Sequence, residues 1–201
     1  MNLPNMLTVM RCLLAAIFVV LMSFDNVVCY LIAYAMFTAA AITDYYDGKI
    51  ARERNLITNF GKLLDPIADK ILMVAGFIML MRVPDLNIPG WTVVAILARE
   101  FLITGARSLA ASEGVVLPAN NYGKAKTAIQ MTYVFVVLAA VILLRIAMGI
   151  SALQGQLPGE LLAYYLRGVS LVGIILVAAY TIYSGIQFAW ENWNALKLHQ
   201  M

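Results

Sequence analysis

The chain has 201 residues, of which 63% are hydrophobic and only 12% are charged, and its mean hydropathy is +0.84. A soluble domain of this size needs a polar exterior, and this composition has too few polar residues to build one. The formal net charge is +3 and no run of five basic residues occurs, which argues against nucleic acid as a partner. The composition predicts a single all-α, polytopic membrane domain over residues 1–201.

Six apolar segments are long enough to cross a membrane as helices, which takes about 20 residues each. In chain order they are 6–23, 28–50, 62–82, 89–110, 125–149 and 161–190. The connections between them are rich in Gly, Pro, Asn and Asp, which favour turns. A short lead-in at 2–5 is expected to lie at the membrane surface before the first helix. That helix is expected to be retained, because no basic region precedes it and no cleavage site follows it.

Lysine and arginine are concentrated at the connections expected on one side of the membrane. That side carries Lys49, Arg52, Arg54, Lys62, Arg107, Lys124, Lys126 and Lys197, whereas the other carries Arg82, Arg145 and Arg167. Positive residues mark cytoplasmic connections, so both termini and the second–third and fourth–fifth connections are expected to face the cytoplasm. The predicted location is the inner or plasma membrane of the cell.

Four aspartates lie within 26 residues around the second–third connection: Asp44, Asp47, Asp65 and Asp69. On a helix, residues three or four apart share a face, so each pair points to one side of its own helix. Gly48 lies four residues after Asp44, which removes bulk from the same face. Two antiparallel helices would therefore present two carboxylate pairs to one cavity at the cytoplasmic edge.

Four converging carboxylates repel one another in a medium of low dielectric. Protonation or divalent cations could compensate this charge, and the absence of nearby Cys and His favours hard ions such as Mg²⁺ or Mn²⁺. Four carboxylates suffice for two ions, the arrangement that phosphoryl-type transfers use. Arg52 is placed to hold a phosphate oxygen, and Gly48 and Gly61 would allow a ligand close to the backbone.

The pattern D-x2-D-G-x2-A-R-x8-G-x3-D-x3-D is complete between Asp44 and Asp69. It resembles the signature of the CDP-alcohol phosphatidyltransferase family. The stretches "LPNMLTVMR", "GKLLDPIADK", "AREFLITGARSLAASEG" and "GKAKTAIQM" resemble its subfamily of bacterial phosphatidylglycerophosphate synthases. The likeness covers about residues 3–131, and the last two helices match only in being apolar.

This resemblance implies a six-helix membrane enzyme, often a dimer, that uses two divalent cations. Such enzymes transfer the phosphatidyl group of CDP-diacylglycerol to a small alcohol and release CMP. In the resembled subfamily the alcohol is sn-glycerol 3-phosphate and the product is phosphatidylglycerol phosphate, a step of phospholipid biosynthesis.

The resemblance also implies roles for individual residues. Metal ligands would be Asp44, Asp47, Asp65 and Asp69, with Asp69 also the base that takes the alcohol proton. Contacts to the CDP part would come from Gly48, Arg52, Thr58 and Gly61, and from Asn5, Thr8 and Arg11 on the first helix.

Basic residues near the cytoplasmic side of the fourth and fifth helices are candidates for the acceptor phosphate: Arg99, Arg107, Lys124 and Lys126. A dianionic acceptor calls for such cations, and the stretch "GKAKT" opens a helix whose N-terminus also attracts phosphate. A structural ion pair between Arg99 and Glu100, and ordinary positive-inside residues at the other positions, are the alternatives.

Other functions stay open from the sequence. Within the resembled family, a cardiolipin synthase that accepts phosphatidylglycerol, or an enzyme for inositol or serine, are alternatives. In a different class, a divalent-cation or proton-coupled transporter would also place acids in the membrane, but it predicts acids spread through the bilayer depth.

Overall fold

A computed structural model describes the backbone of residues 3–54, 59–112, 114–115, 117, 121–154 and 159–193. Side chains are described for 6–43, 68, 70–112, 114–115, 117, 122–150 and 159–193. The regular elements in these ranges are all helices: α1 (Leu3–Met22), α2 (Val27–Arg54), α3 (Asn59–Arg82), α4 (Gly90–Ser112), α5 (Asn121–Gln154) and α6 (Gly159–Glu191). The prediction of an all-α fold is confirmed.

Each apolar segment predicted from the sequence matches one helix, with ends that differ by at most five residues. The largest difference is at α5, which begins at Asn121 and ends at Gln154, beyond the apolar stretch at both ends. Residues 3–5, expected as a separate lead-in, form the first turn of α1 instead. Pro4 is tolerated there because the first backbone N–H groups of a helix have no intrahelical partner.

Local hydrogen bonds explain two of the helix ends. The side chain of Asn26 accepts a hydrogen bond from the Val28 backbone N–H at 2.8 Å, which caps the start of α2. After α4, Gly114 has φ of 79°, and Val115 donates its N–H to the Ala110 carbonyl at 2.9 Å. This is the Schellman arrangement, which needs a left-handed residue and therefore favours glycine.

The helices form a bundle in which α3 is central. α1 packs against α2 and α3, while α6 packs against α4 and α5, and α3 also contacts α2, α4 and α5. Aromatic rings fill the core, with Phe37 of α2 between Phe18 and Phe135 at centroid distances of 5.1 Å. Gly76 lets α3 approach α5 closely, since a Cβ at Gly76 would lie only 3.1 Å from the side chain of Val134.

Within the residues that the structure describes, two helices are long and apolar enough to cross a membrane, over Tyr122–Ile150 and Gly159–Glu191. Shorter apolar helices run over Met6–Met22 and Val27–Thr43. Large apolar side chains on α6, such as Val169 and Leu176, are exposed at 70% and 64%. A long apolar helix that shows this much apolar surface outside the bundle indicates a membrane protein.

An ion-pair group, the Arg145 cluster, ties α5 to the turns that follow α1 and α3. Arg145 Nη2 lies 3.0 Å from Asp25 Oδ1 and 2.9 Å from Asp85 Oδ2. The hydroxyl of Tyr30 also donates to Asp25, at 3.1 Å. One guanidinium between two carboxylates joins three segments that are distant in sequence.

Candidate active site

The four aspartates lie on the two helices where the sequence predicted them. Asp44 and Asp47 are in the second half of α2, and Asp65 and Asp69 are in the first three turns of α3. The helical backbone places each pair on one face, and α2 contacts α3. The four side chains themselves lie outside the described residues.

The donor set nevertheless fits a hard divalent cation. Four carboxylates from two contacting helices provide only oxygen ligands, which Mg²⁺ and Mn²⁺ prefer. Among the side chains that the structure describes, no three His, Cys, Asp or Glu residues are grouped to hold a metal, and the four aspartates are not in that set.

The structure describes the side chains of two of the residues predicted to contact the nucleotide. Thr8 and Arg11 are one turn apart on α1 and almost fully buried, at 1% and 2% exposure. Their helix, α1, packs against both aspartate-bearing helices, α2 and α3. Only the backbone, which is helical, is described for four other predicted contacts: Asn5, Gly48, Arg52 and Gly61. Thr58 lies outside the described residues.

A cavity of about 520 Å³ lies between α3, α4 and α5. Five of its described lining side chains are cationic: Lys70, Arg99, Arg107, Lys124 and Lys126. Glu100 is the one acid among the described lining residues, which leaves an excess of four positive charges. All four residues that the sequence proposed for the acceptor phosphate therefore line one cavity.

Glu100 is the centre of an ion-pair group on three helices, the Glu100 cluster. Its carboxylate pairs with Lys126 of α5, with Lys70 of α3 at 3.4 Å and with Arg99 of α4 at 3.4 Å. The side chains of Lys126, Arg99 and Glu100 are only 7%, 10% and 14% exposed. The structural ion pair between Arg99 and Glu100, left open from the sequence, is present and is part of this larger group.

Both arginines of the cavity are held by α6. The Arg107 guanidinium lies 4.9 Å above the ring of Phe188, a cation–π contact. The stem of Arg99 packs against Gly185, where a Cβ would be 3.0 Å from its Cγ. The Nε atoms of Arg99 and Arg107 are buried and have no hydrogen-bond acceptor among the described residues. Buried donors without acceptors are suited to an anionic ligand.

The sequence profile of the CDP-alcohol phosphatidyltransferase family matches residues 1–157. The chain belongs to this family. The matched range includes α1 to α5 and every residue predicted for the site, while α6 follows it. The resemblance seen over about residues 3–131 thus extends through the whole of α5.

Curated relatives point to one reaction within this family. The chain is 36% identical to the CDP-diacylglycerol–glycerol-3-phosphate 3-phosphatidyltransferase of Bacillus subtilis, over 98% of this chain and 97% of the relative. It is 44% identical to the protein of the same name from Rickettsia bellii, over 65% of this chain and 71% of the relative. A probable phosphatidylglycerophosphate synthase of Mycobacterium tuberculosis is 35% identical, over 74% of this chain and 78% of the relative.

The sequence did not indicate Lys70 or Gln130 as lining residues in this phosphatidyltransferase, and it indicated Glu100 only as a structural partner of Arg99. Lys70 directly follows Asp69, and Gln130 lies one turn after Lys126 on α5. Gln130 is 1% exposed and donates to Thr181 of α6 at 2.9 Å. The signal that could have found them is a polar residue within an apolar helix, one turn or less from a candidate site residue.

Proposed function

We propose that the protein transfers the phosphatidyl group of CDP-diacylglycerol to sn-glycerol 3-phosphate, giving phosphatidylglycerol phosphate and CMP. Family membership supports the reaction type, and the names of its relatives support both substrates. The observation that carries the choice of acceptor is the cavity, whose described lining residues include five cationic side chains and one carboxylate. A dianionic alcohol is the acceptor that such a cavity would attract.

Asp44, Asp47, Asp65 and Asp69 would hold two divalent cations, Mg²⁺ or Mn²⁺. Bound there, the cations would neutralise the diphosphate and the leaving CMP. On the protein side, Arg52, Gly48, Gly61 and Thr58, with Asn5, Thr8 and Arg11 of α1, would bind the CDP part. Buried Thr8 and Arg11 support this assignment for α1.

The acceptor hydroxyl would attack the β-phosphorus of CDP-diacylglycerol in line with the bond to the bridging oxygen. A new oxygen–phosphorus bond forms, the bond to the bridging oxygen breaks, and CMP leaves with that oxygen. Asp69 would take the hydroxyl proton. Lys70, the next residue, lines the cation-rich cavity, so the proposed base and the proposed acceptor site share α3.

The acceptor phosphate would lie among Arg99, Arg107, Lys124 and Lys126. All four side chains line the same cavity, which supports this placement. Lys124 is in the first turns of α5, so backbone N–H groups at that helix N-terminus would add to the attraction.

The helices would span the membrane six times, with both termini and the active site on the cytoplasmic side. Lys126 and Arg145 are 19 residues apart on α5, or about 28 Å along its axis. This length is close to the ~30 Å of a bilayer's apolar core, so the two ionic clusters would flank that core. The bias of Lys and Arg supports the orientation, and a homodimer, common in the family, is part of the proposal.

The test is CMP release from CDP-diacylglycerol by the purified protein, with Mg²⁺ or Mn²⁺ and a panel of alcohols. We expect release with glycerol 3-phosphate and its loss on chelation of the divalent cations, with recovery when they are added back. Release with inositol, serine or phosphatidylglycerol alone would overturn the acceptor. No release with any alcohol would overturn the reaction.

A further inference from the structure

We infer that Glu100 is a positioning residue for the acceptor. Its carboxylate fixes the positions of the cations that hold the acceptor phosphate relative to α3, the helix that carries Asp69. The inference rests on the proposed function and deepens it. The carboxylate would act through Lys126, Arg99 and Lys70, without itself touching the reacting atoms.

The geometry places Glu100 at the junction of three helices. It comes from α4, Lys126 from α5 and Lys70 from α3, and each cation lies within ion-pair distance of the same carboxylate. Lys70 also lies 3.4 Å from the Glu100 backbone carbonyl, which gives α3 a second link to α4. The cluster therefore joins the helix of the proposed base to both helices that supply the proposed phosphate ligands.

Charge explains why a carboxylate is needed among residues that should bind an anion. Lys126 and Arg99 are almost buried, and two buried cations close together repel strongly when no anion is present. Glu100 is the counter-charge that keeps both in the cavity before the acceptor arrives. A preformed set of cations then loses less freedom when the phosphate binds.

Glu100→Gln keeps the size of the side chain and removes its charge. Simple charge counting predicts tighter binding of an anion, because the cavity would gain net positive charge. Positioning predicts the opposite, because the cations would lose their common partner and separate. Charge counting predicts a lower KM for glycerol 3-phosphate and positioning predicts a higher one, so this KM decides between the two explanations.

The experiment measures CMP release by wild type, Glu100→Gln and Glu100→Asp at varied concentrations of each substrate. For Glu100→Gln we expect the KM for glycerol 3-phosphate to rise at least about tenfold, while the KM for CDP-diacylglycerol changes by less than about twofold. Inorganic phosphate, used as a competitive inhibitor, should lose affinity by the same factor as the acceptor.

Glu100→Asp keeps the charge on a shorter stem, so we expect its KM for glycerol 3-phosphate to fall between the other two values. It also keeps the inference testable where Glu100→Gln does not fold. The matched control is Glu160→Gln, the same chemical change at an exposed residue in the first turn of α6. This control should have wild-type kinetics.

An unchanged or lower KM for glycerol 3-phosphate in Glu100→Gln would overturn the inference. Equal rises in the KM of both substrates would also overturn it, because they indicate a general packing defect. A KM for glycerol 3-phosphate equal to that of wild type in Glu100→Asp would also overturn the inference. Failure of the proposed function looks different, since wild type itself would then release no CMP with glycerol 3-phosphate.

Discussion

The two ionic clusters on α5 differ in charge balance and in surroundings. The Arg145 cluster has one guanidinium between two carboxylates and joins the turns after α1 and α3. The Glu100 cluster has one carboxylate among three cations, and two further cations line the same cavity. In the Arg145 cluster both carboxylates contact the same guanidinium, which joins helices, whereas an excess of cations beside a cavity attracts an anion from elsewhere. This difference is the basis for proposing a structural role for the Arg145 cluster and a binding role for the cavity beside the Glu100 cluster.

The largest effect on turnover is expected when the charge of Asp69 is removed, and the same change at Asp25, in the Arg145 cluster, is the comparison. Asp69→Asn should lower turnover by about 10²- to 10⁴-fold, because the acceptor hydroxyl loses its base and the cations lose a ligand. Asp25→Asn, the matched control in the Arg145 cluster, should keep turnover near wild type. CMP release at saturating substrates measures both, and near-wild-type turnover of Asp69→Asn would exclude its role as the base.

A smaller effect is expected from removal of one cation of the cavity. Arg107→Gln should raise the KM for glycerol 3-phosphate by about 10- to 100-fold, since a hydrogen bond to a charged group contributes roughly 1.5–3 kcal/mol. Arg167→Gln, at an exposed position on α6, is the control and should leave this KM unchanged. Equal KM values for the two variants would contradict the assignment of Arg107 to the acceptor site.

At the other end, Arg145→Gln should change stability and leave the chemistry intact. Two carboxylates would lose their common partner, although Asp25 is 61% exposed and its pair contributes little. We expect a loss of about 1–2 kcal/mol and a fall in the melting temperature of about 2–8 °C in detergent. A thermal unfolding curve checks the stability. A raised KM for glycerol 3-phosphate with unchanged melting would remove the distinction between the clusters.

The smallest effect is expected from a methyl group added beside the cavity. Gly185→Ala would place a Cβ 3.0 Å from Arg99 Cγ, so the arginine stem must shift by a few tenths of an ångström. The KM for glycerol 3-phosphate should rise roughly two- to fivefold. Gly168→Ala is the control on α6, because an added Cβ there would meet no described atom within 4 Å apart from its own stretch of helix. The same KM in both variants would indicate that the position of Arg99 does not matter.

Local pattern was enough to predict the helices and part of the site. Runs of apolar residues gave the helices to within five residues, and the three- and four-residue spacing placed the aspartate pairs on α2 and α3. Charge, together with position near the predicted cytoplasmic side, indicated Arg99, Arg107, Lys124 and Lys126, which line one cavity. Their roles, like those of the aspartates, stay predictions.

Contacts between distant residues could not be predicted in the same way. Glu100 pairs with residues 30 and 26 positions away, and the sequence indicated only its neighbour Arg99. The partners of Arg145 are likewise on other helices and turns. Such pairs depend on how helices pack, and periodicity within one helix carries no information about that packing.

The acceptor preference of wild type and of Lys126→Met tests the central claim most directly. The measurement is the ratio of kcat/KM for glycerol 3-phosphate to that for glycerol, which lacks the phosphate. We predict a preference of about 10³-fold or more in wild type, and a much smaller one in Lys126→Met through a higher KM for glycerol 3-phosphate. Equal use of both alcohols by wild type, or the same preference in Lys126→Met, would contradict the assignment of the cavity to the acceptor phosphate.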